Sequence, residues 1–116
     1  MENKARINKE AANLIVSLCL CIHKLKNPNL DEKGPYALLI KWTHRDLKDR
    51  LDAVLGGLSV RVMVREAGKT KDYVKNLLVI YGLLPEGLGH KNEIIGILHE
   101  ILDVVTELEQ GLGHDF

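Results

Sequence analysis

Two short runs in the chain open like catalytic motifs. His44-Arg45-Asp46-Leu47-Lys48 begins as a protein-kinase catalytic loop does, where the Asp takes a proton and a following Asn holds magnesium. Leu51 stands where that Asn belongs, and no Gly-rich loop accompanies the run. Gly68-Lys69-Thr70 ends like a phosphate-binding loop, but Met63 occupies the place of the earlier Gly that such a loop needs to wrap backbone amides around phosphates. The five histidines, His23, His44, His90, His99 and His114, have no HExxH or HxxxH spacing, so no metal site and no cofactor is expected. Cys19 and Cys21, two apart on a helix, point in different directions and cannot bridge each other, and they are expected as small buried apolar residues in a reducing, cytoplasmic setting. With no nucleophile, base and acid that spacing brings together, the chain reads as a non-enzyme.

The elements that would carry these residues are helices. At 116 residues and 46% hydrophobic content the chain suffices for one core, and at 4% aromatic residues that core is built from Leu, Ile and Val. The expectation is an all-α single domain, 1–116, a compact bundle of about five helices. Ala5 to Lys26 reads as the first, with Ala12, Ile15, Val16, Cys19, Ile22 and His23 inward, and Asn27-Pro28-Asn29 ends it. Its 12-residue apolar run is too short to span a bilayer and lacks a signal-peptide cleavage site. A second helix starts at Gly34-Pro35, carries Leu38, Leu39, Trp42, Leu47, Leu51, Val54 and Leu55 as its apolar positions, and stops at Gly56-Gly57, completing an N-terminal pair over 1–58. In the last helix, over 92–112 with Asn92 as cap, Ile94, Leu98, Ile101, Val105 and Leu108 form a heptad seam suited to dimerisation, to its own domain, or to both.

Charge is unevenly distributed along this frame. The formal net charge is zero, yet all 16 Lys and Arg lie in residues 1–91 against 10 acids, while residues 92–116 hold six acids and no Lys or Arg. A basic surface facing an anionic partner and an acidic last helix engaged elsewhere would produce that division.

Residues 59–86 combine both themes. Ser59 caps a short helix to about Ala67, Gly68 supplies a turn, and Thr70 caps a second helix to about Tyr81 whose Val74 and Leu77 point inward. That is the layout of a helix-turn-helix, and the outward stripe is Lys71, Asp72, Lys75, Asn76 and Val79. Asn can bind adenine through two hydrogen bonds and Lys can reach guanine or phosphate, with Arg61, Arg65, Lys69, His90 and Lys91 as flanking backbone contacts.

Gly68-Lys69-Thr70-Lys71-x-Tyr73-Val74-x-Asn76-Leu77-Leu78, followed by Leu84-Pro85-Glu86, resembles the helix-turn-helix of ParB-type partition proteins over about a fifth of the chain. Pro85 comes one residue late, Val64 replaces a usual small Ala, and the nucleotide-binding motifs of full-length partition proteins are absent. The resemblance implies recognition of double-stranded DNA with Lys69, Thr70, Lys71 and Asn76 at or near the duplex. Joined to Arg65 and Lys75, these residues lead to the expectation of a small dimeric transcriptional or partition-type regulator, its two reading helices about 34 Å apart. The alternative is a helical protein-interaction module or inhibitor of the kind mobile elements encode, which docks an apolar face onto another protein and touches no DNA.

Overall fold

The structure is a computed structural model, and it describes residues 9–26, 35–57, 59–86 and 91–113. These form four α-helices, and no strand occurs among the described residues: α1 Lys9–Lys26, α2 Pro35–Leu55, α3 Val60–Gly82 and α4 Lys91–Gly113. The all-α expectation holds, with four helices in place of five. α1 and α3 each lie between α2 and α4, so the helices close a ring around one core. Thr43, Asp46 and Arg50 of α2 bond to Tyr81, Tyr73 and Thr70 of α3 respectively. The falling numbers on one helix against rising numbers on the other make the pair antiparallel. The turns at Asn27-Pro28-Asn29 and Gly87 to Gly89, together with His90 and His114, lie outside the described residues.

The expected break at Gly68 is corrected by α3, which runs through it as one helix of 23 residues. Its buried positions are Met63, Ala67, Thr70, Val74, Leu77 and Tyr81, a 4-3-4-3-4 spacing that passes Gly68 without a change of phase. Gly in a helix costs about 1 kcal/mol against Ala, less than burying two or three further turns of that seam returns. Gly68 also makes room on the side of α4. A Cβ there would come within 2.8 Å of Glu109 Oε2. Thr70 is accordingly not a cap but a buried mid-helix residue, and its hydroxyl donates to the Glu66 carbonyl one turn back at 2.9 Å. Ser59 does cap the helix, accepting from the Val62 amide at 3.3 Å with an extended backbone. Asn92 falls one residue inside α4, which begins at Lys91.

The heptad seam of α4 is used within the chain. Ile94, Leu98, Ile101, Val105 and Leu108, expected as dimerisation residues, are all buried at 1% exposure or less against the other helices, joined by Ile97. An interface made of them would require the domain to open. On α1 the inward face is Ala11, Leu18, Cys21, Ile22 and Leu25, whereas Ala12, Val16, Cys19 and His23 are exposed. α2 turns Ile40, Thr43, Leu47, Leu51 and Val54 inward and leaves Leu38, Trp42 and Leu55 outside. Both helices carry more apolar positions than one stripe accommodates, and only packing chose which row was buried.

Replacing Gly68 by Ala discriminates a continuous helix from a turn. In the helix, Ala gains up to about 1 kcal/mol of propensity, opposed by displacement of the Glu109 carboxylate, which turns about its bond to Lys71. The expected result is a thermal midpoint at or near the native one by circular dichroism. A loss of many degrees would show that Gly68 is needed for a turn.

Candidate functional site on the outward faces of α2 and α3

The six residues expected at DNA divide into two groups. Thr70 is buried, and besides donating to Glu66 it accepts from Arg50 Nε at 3.1 Å, so its hydroxyl is engaged within the protein. Lys71 is half-buried, with Nζ 2.6 Å from Glu109 Oε1, and that bond holds its ammonium above the usual lysine range. The other four, Arg65, Lys69, Lys75 and Asn76, are exposed on the outward surface of α3 together with Arg61. Lys91, expected as a flanking phosphate contact, is instead buried. Its ammonium donates to the Leu84 carbonyl at 2.7 Å and meets Glu86 at 3.2 Å, bracing the chain as it leaves α3.

A polar ladder fixes α2 against α3. Arg50 Nη2 donates to both the Glu66 carboxylate at 2.7 Å and the Glu66 carbonyl at 3.0 Å, while Nε reaches Thr70. Arg65 and Lys69 approach the other carboxylate oxygen at 3.6 and 3.5 Å, so one acid gathers three cations. The Arg50 hydrogen bond is the main cause that holds the Glu66 carboxyl below the usual range. Farther along, Tyr73 donates to Asp46 Oδ2 at 3.0 Å, and burial followed by that bond pushes its phenol well above the usual value. Asp46 belongs to the kinase-like run, and its place here is this bond and a contact to Arg45 at 3.2 Å. At the end of the ladder Thr43 donates to the Leu39 carbonyl, which leaves the buried Tyr81 hydroxyl to donate to Thr43 at 2.9 Å.

Beyond the ladder the same face turns apolar. Trp42 sits one turn before Asp46, and Ile80 two turns after Tyr73, so the contact between Asp46 and Tyr73 carries Trp42 and Ile80 onto neighbouring rows. Leu38 and Leu83 extend these rows toward the same end, with Val79 at their edge. Exposures are 47% for Leu38, 51% for Trp42, 63% for Val79, 45% for Ile80 and 81% for Leu83. Five large apolar side chains, four on α2 and α3 and the fifth on the residue that caps α3, differ at one end of one face from the isolated exposed leucines of an ordinary surface. Of these only Val79 was placed outward by the sequence; the second apolar row of α2 was the signal available for Leu38 and Trp42.

Cysteine chemistry is confined to α1. Cys21 is buried and donates to Glu100 Oε2 at 3.5 Å, and burial followed by that contact pushes its thiol up, whereas Cys19 is exposed rather than buried as expected. Among the described residues no three His, Cys, Asp or Glu side chains come together as a metal site, and no helix is long and apolar enough to cross a membrane.

The Glu66 ladder gives a pH prediction. Because folding lowers the Glu66 pKa from 4.5, its ionised form adds stability that is complete above that value and lost as pH falls through the lower native value. The native chain should therefore melt above a Glu66→Gln variant at neutral pH, with the two converging below pH 4.5. A gap that persists in acid would mean that the carboxylate charge is not what ties α2 to α3.

Compared with known protein families, curated proteins and solved structures, the chain matches none.

Proposed function

We propose that the chain is a small helical protein-interaction module that binds through the apolar end of the α2/α3 face. The observation that carries this reading is the cluster of Leu38, Trp42, Val79, Ile80 and Leu83, large apolar side chains left 45% to 81% exposed. The interaction surface expected on the last helix thus moves to α2 and α3, because the α4 seam is consumed inside the domain. Trp and neighbouring Leu and Ile are suited to be the desolvated centre of a protein interface, and the polar ladder beside them holds the two helices rigid.

The test is a photo-crosslinking amino acid placed at position 42 in cells, with position 103 on α4 as a control. Adducts to protein from position 42 and not from position 103 are expected. Equal labelling from both positions, or none from position 42, overturns the reading.

A second reading keeps DNA as the partner without a helix-turn-helix. It is favoured by Arg61, Arg65, Lys69, Lys75 and Asn76 sharing the exposed side of α3 against one acid there, Asp72. On this reading the dimeric regulator would contact phosphates with an unbroken helix, and Lys71 and Thr70 would drop out of the contact set. Fluorescence polarisation with duplex DNA separates the two readings. Salt-sensitive binding that an Arg65→Ala/Lys69→Ala/Lys75→Ala/Asn76→Ala variant loses while staying folded supports DNA, and no binding at low salt removes it.

A further inference from the structure

We infer that the occupant of the α2/α3 face is a second copy of this chain, paired so that α2 of each lies on α3 of the other; the inference rests on the apolar-face reading above. A two-fold axis parallel to the helices exchanges α2 and α3 across the interface and keeps every residue at its own height along the bundle. The ladder sets the heights to within about one helical turn, with Thr43 bonded to Tyr81, Asp46 to Tyr73 and Arg50 to Thr70. Trp42 therefore comes to within about a turn of the level of the partner's Val79 and the partner's Ile80, and Leu38 to that of the partner's Leu83. Apolar surface covers apolar surface twice over.

Charge complementarity comes from the other half of the face. The outward acid of α2 at that level is Asp49, one residue before Arg50, and the outward cation of α3 is Lys69, one residue before Thr70. The same exchange of helices sets Asp49 against the partner's Lys69, again twice. The remaining charged groups of the face are Arg45, Asp46, Arg50, Arg61, Arg65, Glu66, Asp72 and Lys75. Arg45 contacts Asp46, and Glu66 lies within 4 Å of Arg50, Arg65 and Lys69, whose 60% exposed side chain remains open to a second carboxylate. Six cations against four acids give the face both signs with a small positive excess, which a closed two-fold dimer accommodates, whereas a strongly charged face would repel its own copy.

Trp42 is the chain's single tryptophan, so its emission reports directly on this surface. Sedimentation of the purified full chain should show a monomer–dimer equilibrium, and Trp42 emission should move to shorter wavelength as concentration rises. Leu83→Glu, at a position 81% exposed and outside the core, should keep the fold and remove both effects. Asp49→Lys should weaken the dimer at least tenfold, and the combination Asp49→Lys/Lys69→Glu should restore it, since each contact then regains opposite charges. A chain that stays monomeric at every concentration, or a dimer that Leu83→Glu leaves intact, overturns the proposal. A monomeric chain whose position 42 still crosslinks a different protein overturns the self-pairing alone and leaves the interaction surface standing, while absence of any adduct at position 42 removes both.

Discussion

The continuous apolar seam of α3 is the constraint on which the rest of the structure depends. Met63, Ala67, Thr70, Val74, Leu77 and Tyr81 keep one phase for more than five turns, and burying them requires a straight helix and a matching partner. α4 supplies that partner with Ile94, Leu98, Ile101, Val105 and Leu108. Once these two seams are closed on each other and on the flanking helices, neither is available to a second subunit. The two regions that sequence spacing marked as functional, a turn at Gly68 and a free heptad on the last helix, are thus both consumed by the same act of packing.

Polar groups then set the relation of α2 to α3. Arg50 spans Glu66 and Thr70, Tyr73 reaches Asp46 and Tyr81 reaches Thr43, so three levels are fixed by directional bonds rather than by interchangeable methyl groups. Directionality has a consequence for the surface. It holds Trp42 and Leu38 beside Ile80 and Leu83 at one end of the pair, turning two weak apolar rows into one patch. The arrangement of cations around Glu66 likewise explains why a helix with five Lys and Arg presents less free positive charge than its composition implies.

Fold class, the positions of α1 and α2, the closing glycines Gly56-Gly57 and the Ser59 cap were all legible in the sequence, because they follow from local periodicity, fixed backbone preferences and one short-range hydrogen bond. The break at Gly68 was not, because a Gly between two helical patterns is compatible with a turn or with a close helix–helix approach. The unbroken spacing from Met63 to Tyr81 was the signal that separates these. A Cβ at Gly68 would crowd Glu109, a fact that exists only once α4 is in place.

What the sequence determined by itself, then, is that this chain makes helices with a Leu-, Ile- and Val-rich interior and an acidic last helix. Those properties are set by composition and by spacing within a few residues. Tertiary structure decided which apolar rows are core and which are surface. α1 and α2 each offer two, and the choice of Leu18 over Val16, and of Ile40 over Leu38, is made by neighbours distant in sequence. It also decided the state of the polar side chains. Lys71 and Lys75 differ little as residues four apart on one helix, yet the first is held by Glu109 and the second is exposed to water, because a carboxylate from α4 reaches only one of them.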